Sequence, residues 1–74
     1  MDYNEFKTIL KNENLNNICY DEKNLLCNTV YFLKKKNEFV VYTTDERAAV
    51  FGKVRTFQNE EDAYNNVLKR LRAF

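Results

Sequence analysis

Residues 25–43 read LLCNTVYFLKKKNEFVVYT. The two ends are β-branched and aromatic, and the middle is three lysines, an asparagine and a glutamate. Two apolar runs of strand length around a short polar break mark a β-hairpin. The spacing places the first strand at about residues 27–34 and the second at 39–43, with KKKNE as the turn. Asn37 is the turn residue best suited to a left-handed backbone. After a charged connection, TDER, comes AAVFGKVRTF, read as a third strand in which Val50 and Val54 alternate against Phe51, Lys53 and Arg55. Gly52, the only glycine, sits inside that strand and marks a bulge or a close backbone approach.

Helices are expected on both sides of the strands. Asp2 followed by Glu5 has the spacing of a capping box, and Phe6, Ile9 and Leu10 share one helical face over about residues 3–11. NENLNN is a connection, with Leu15 and Ile18 reaching under the core, and residues 20–24 are again polar. At the other end Asn59 is an N-cap, with Asp62 three residues on. Glu60, Glu61 and Asp62 face the positive end of the helix dipole, and Lys69, Arg70 and Arg72 the negative end. Ala63, Val67, Leu71 and Phe74 form the apolar stripe, widened by Tyr64 and Leu68. The expected fold is α+β, in the order α-β-β-β-α. A three-stranded antiparallel meander carries the C-terminal helix on one face, and residues 1–74 form one small domain.

A chain of 74 residues with 45% apolar and 15% aromatic content can build one real core. Twelve basic and eleven acidic residues leave a net charge of +1, which argues against a strong nucleic-acid binder or an acidic mimic. No apolar run has the length of a signal peptide or a membrane span, so the expected setting is the cytosol, with no membrane partner. Cys19 and Cys27 lack CxxC spacing, and with no histidine they complete no zinc site. In a reducing compartment they are expected to be free and partly buried.

Catalytic parts are missing. Acid–base chemistry usually recruits histidine or a buried carboxylate pair, and a nucleophilic cysteine needs a base. Of the adjacent carboxylates, Glu60-Glu61-Asp62 belong to the helix start and Asp21-Glu22 to a solvated loop. No Gly-rich loop could cradle a phosphate. The chain is therefore expected to be no enzyme and to need no cofactor or metal. The α-β-β-β-α order is also that of the double-stranded RNA-binding domain. That module grips phosphate with basic residues where this chain has Glu60-Glu61-Asp62. Phage-integrase arm-binding domains use a basic sheet face, for which Lys34, Lys35, Lys36, Lys53 and Arg55 are the candidates here. Nucleic acid stays the alternative partner, disfavoured by the net charge.

A protein partner fits better. Asp45, Glu46 and Arg47 lie between two strands, where loops often carry function, and Tyr42 stands beside them. The competing reading is an ordinary turn in which Glu46 and Arg47 pair with each other. The candidate contact residues are Tyr42, Asp45, Glu46, Arg47, Lys53 and Arg55, with Phe51 on the same strand. A homodimer through exposed strand edges is compatible with these assignments.

FVVYTTDERA followed by FQNEEDAYNNVLKRL resembles the Immunity protein 59 family of small bacterial immunity proteins. Phe57, Glu60, Asp62 and Ala63 match its strand end and helix start, and Glu46-Arg47 its turn. Phe39 stands where the family has tryptophan, one extra residue separates Tyr42 from Glu46, and Ala48 stands where the family has glycine. The alanine argues against a tight positive-φ turn. The resemblance covers residues 38–72 and implies a non-enzymatic inhibitor that binds and neutralises a cognate toxin sterically. With net charge +1 the implied target is not a nuclease.

Overall fold

The computed structural model describes residues 1–74. Its elements are α1 (Tyr3–Asn12), β1 (Ile18–Cys19), β2 (Val30–Lys35), β3 (Glu38–Thr44), β4 (Val50–Phe57) and α2 (Glu60–Arg72). The class is α+β, but the sheet has four strands in the order β1-β2-β3-β4 and is mixed, not a three-stranded antiparallel meander. The extra strand, β1, runs parallel to β2, with Ile18 opposite Val30 and Cys19 opposite Tyr31. It covers the edge of β2 that the hairpin leaves open, and Val30 N donates to Asn17 O at 2.8 Å where the pairing begins. Two residues cannot express a strand period, which is why the sequence pattern does not reveal it.

β2 and β3 form the expected hairpin, in register from Val30↔Thr43 to Lys35↔Glu38. Lys36 and Asn37 make the turn. The left-handed residues of the chain are instead Asn14, Asn28, Ala48 and Gly52. Asn14 follows α1, where Leu15 N donates to Leu10 O (2.8 Å) and Asn14 N to Lys11 O (3.2 Å). These are the two bonds of a Schellman motif, which needs a left-handed residue at that position. β4 carries the expected bulge at Gly52, whose φ is +73°. Between Val41↔Arg55 and Thr43↔Phe51, the single residue Tyr42 faces Gly52, Lys53 and Val54.

Cross-strand partners share a face, so the register sorts the side chains. Val30, Phe32 and Val41 face the helices and pack with Phe6 and Leu10 of α1 and Ala63, Tyr64, Val67, Leu68 and Leu71 of α2. The Tyr64 ring stacks on Phe6 and Phe32, with centroids 4.5 Å and 5.5 Å apart. Leu15 and Ile18 pack against this core from its margin. Both helix starts are capped: Asp2 Oδ1 accepts from Glu5 N (2.8 Å) and Asn59 Oδ1 from Asp62 N (2.9 Å). α2 ends at Arg72, so Phe74 falls outside the stripe and is exposed.

Tyr31, Leu33 and Tyr42 form a second, smaller cluster on the outer face of the sheet. Segment 20–28 lies across it: residues 20–24 are the expected polar connection, but Cys27 and Asn28, expected to open the first strand, belong to this covering segment because the strand starts at Val30. Tyr31 is wholly buried; its hydroxyl accepts from Leu26 N (2.6 Å) and donates to Asn24 O (3.3 Å). Tyr42 is 6% exposed, stacks on Tyr31 at 5.1 Å and donates its hydroxyl to Glu22 Oε2 at 2.9 Å. Thr44, also wholly buried, donates its hydroxyl to Leu26 O at 2.6 Å and accepts from Thr29 N at 3.0 Å. Both faces of the sheet are thus covered between β1 and β3, and β4 is the exposed strand. Cys19 is a half-buried free thiol and Cys27 an exposed one, so only the first is partly buried as expected.

Candidate partner-binding surface

Residues 45–49 turn the chain from β3 into β4, and Asp45 organises the turn. Its Oδ1 accepts from Arg47 N at 2.8 Å and Ala49 N at 3.1 Å. Its backbone N donates to Ala49 O (2.9 Å), and its carbonyl accepts from Ala48 N and Asn28 N (both 3.0 Å). This turn forces Ala48 to φ +61°, so the positive-φ turn forms without glycine. A left-handed alanine costs about 1–2 kcal/mol, offset here by the bonds that Asp45 supplies.

That geometry divides the contact residues expected from the sequence. Glu46 and Arg47 project from the turn, are exposed and join no ion pair, so they do not pair with each other. Asp45 is occupied with backbone amides and acts as the brace of the loop. Tyr42 lies in the outer cluster under segment 20–28, where its ring is not offered to a partner. Val40, two residues back, lies on the same outer face, and segment 20–28 covers Tyr42 there.

Lys53 and Arg55 stand exposed on β4. Arg55 lies opposite Val41 and so on the helix side, with its guanidinium 5.5 Å from the Phe57 ring centroid. Beside them sits a residue that the sequence marks only as a helix-end cation. Arg70 reaches from α2 to β4, where its Nε donates to Asn66 Oδ1 (2.8 Å), Nη1 to Thr43 Oγ1 (2.9 Å) and Nη2 to Lys53 O (2.7 Å). The available signal is its position three residues after Val67, at the margin of the buried stripe. The three basic residues at the β2 end do not join this group: Lys35 pairs with Glu22 at 3.2 Å, and β3 separates β2 from β4.

Burial, and then the neighbouring Arg55 charge, hold the Arg70 guanidinium below its usual pKa. The Glu22 carboxyl is lowered by the Tyr42 hydroxyl and then by Lys35. Burial followed by the Glu22 contact raises Tyr42, and burial with Tyr3 and Tyr64 nearby pushes Tyr20 up to about 12. The shifted carboxyls move down and the shifted phenols move up, so neither kind approaches the neutral range where a general acid or base works best. No three His, Cys, Asp or Glu side chains gather to hold a metal ion, and no helix is long and apolar enough to cross a membrane. Compared with protein-family models, curated proteins and solved structures, the chain has no match.

Proposed function

We propose that the domain is a non-enzymatic protein-binding module, an immunity-type inhibitor that binds and neutralises a cognate bacterial toxin in the cytoplasm. The observation that carries the binding part is β4. It is an edge strand of eight residues, all exposed except the half-buried Phe57, and it mixes apolar Val50, Phe51 and Val54 with the unpaired cations Lys53 and Arg55. Exposed edges of this kind either recruit another chain or are guarded against doing so. Here the adjoining turn adds Glu46 and Arg47, held rigidly by Asp45. Phe51, Glu46, Arg47, Lys53 and Arg55 then form one contact surface, with Tyr42 and Asp45 as its supports. The toxin part rests on the resemblance over residues 38–72. The mechanism is steric: the surface occupies the toxin's active site or partner face and performs no chemistry.

The test is a pulldown with tagged protein from its own lysate, with and without nuclease, followed by mass spectrometry. A single dominant partner that survives nuclease supports the reading. Glu46→Lys combined with Arg47→Glu should keep the fold and abolish binding to that partner by calorimetry; unchanged affinity removes the turn from the surface. The nucleic-acid alternative is favoured by one observation: Lys53, Arg55 and Arg70 have no carboxylate partner. Affinity for DNA or RNA that falls steeply with salt would select it.

A further inference from the structure

Arg70 carries a half-buried charge without a counter-ion. Its three hydrogen-bond acceptors are an amide oxygen, a hydroxyl and a backbone carbonyl, all neutral. A guanidinium has five N–H donors, so two remain unused, one on each terminal nitrogen. The three ion pairs of the chain lie elsewhere, at Met1–Glu61, Lys35–Glu22 and Arg72–Glu13. Removing a charge from water without pairing it is unfavourable, and here Arg55 adds repulsion. A cleft of about 290 Å³ opens at this point, between the β4 bulge and the last turn of α2. Phe51 and Phe74 line it and are 50% and 54% exposed.

We propose that this cleft receives a carboxylate from an extended acidic segment of a partner protein, which adds to the free edge of β4. An added strand presents alternate residues to opposite faces. On the helix side its acidic residues meet Arg70, Lys53 and Arg55; on the outer side its apolar residues meet Val50 and Val54, 45% and 53% exposed. Guanidinium–carboxylate bonds are about twice as strong as neutral ones, and they supply the anion that Arg70 lacks. A second copy is a poor occupant, because antiparallel pairing of two β4 strands gathers two Lys53 and two Arg55 side chains, and like charges across strands destabilise. A nucleic-acid backbone is a poor occupant too, because Glu60, Glu61 and Asp62 open the same helix. The inference deepens the protein-binding reading and rests on it.

A displayed library of random peptides, selected on the immobilised full chain, tests it. Enriched peptides should alternate Asp or Glu with apolar residues and shift the amide resonances of β4 and the last turn of α2. By fluorescence anisotropy, Arg55→Glu should weaken the best peptide at least about tenfold, and Lys11→Glu, beside β1 at the opposite edge of the sheet, should leave it unchanged. Arg70→Gln should weaken it as well; Arg55, exposed and free of hydrogen bonds, keeps the test valid if that variant folds poorly. Enriched peptides without carboxylates, or shifts confined to residues 45–49, overturn the inference and leave protein binding standing. An absence of enriched peptides also overturns it, and a nuclease-resistant partner in the pulldown then still carries the broader reading. Tighter, salt-sensitive binding of a single-stranded oligonucleotide overturns both.

Discussion

Replacing Thr44 by valine tests the outer layer of the domain. The side chains have nearly the same shape, so no cavity forms, but the hydroxyl is lost. That hydroxyl accepts from Thr29 N at 3.0 Å and donates to Leu26 O at 2.6 Å, at a fully buried position. Thr29 N has no other acceptor, and a buried donor left unpaired costs about 1–3 kcal/mol. The bond to Leu26 O adds about 1 kcal/mol net, since that exposed residue can recruit water. The expected loss is therefore about 3 kcal/mol. At about 4–8 °C per kcal/mol for a domain of this size, Tm falls by roughly 12–24 °C. The Thr29 amide should also exchange with solvent far faster.

Thr44→Ser is the control. It keeps the hydroxyl and loses one methyl group, at a cost of about 1 kcal/mol. Urea and thermal unfolding followed by circular dichroism should thus rank the wild type above serine and serine above valine. If valine is as stable as serine, the hydroxyl does not pin segment 20–28, and the account of the outer face is wrong.

Ala48→Gly should stabilise the domain by about 1 kcal/mol in the same assay, because φ +61° suits glycine. In acid, Glu22 and Glu13 have folded-state pKa values below the ordinary 4.5. Their contribution is complete above that value and lost as pH falls through the lowered one, so Glu22→Gln should flatten the acid limb of a stability–pH curve. In base the sign reverses: Tyr20, Tyr42 and Tyr64 are raised from 10.0. Their contribution is complete below pH 10 and declines as pH climbs toward the raised values. Tyrosinate absorbance should appear late in the folded protein and jump on alkaline unfolding, and Tyr42→Phe should shrink that jump.

Much of the frame was legible because it repeats. The α2 stripe spans several turns, the β2–β3 hairpin shows two dense apolar runs, and Gly52 flags its own bulge. Features that depend on a distant partner were not. Ile18 and Cys19 become a strand only because β2 offers an edge. Tyr42 is hidden by segment 20–28, whose Asn24 and Leu26 backbone groups fasten to Tyr31 without any period in the sequence. Arg70 satisfied the helix-dipole pattern so fully that its second role, bridging α2 to β4, showed only in its position three residues after Val67. Ala48 takes a conformation that its residue type disfavours, because the side chain three positions earlier enforces it.

Five of the ten residues in the larger core belong to α2, which follows every strand in the chain. During synthesis the strands therefore emerge before most of the surface that shields them, and Val30, Phe32 and Val41 have only Phe6 and Leu10 of α1 as helical cover until α2 clears the ribosome. In that interval the nascent hairpin is most open to chaperones and to pairing with a neighbouring copy. A stop codon before Ala63 would deprive the sheet of most of its helical cover and release an insoluble fragment in place of a weakened domain.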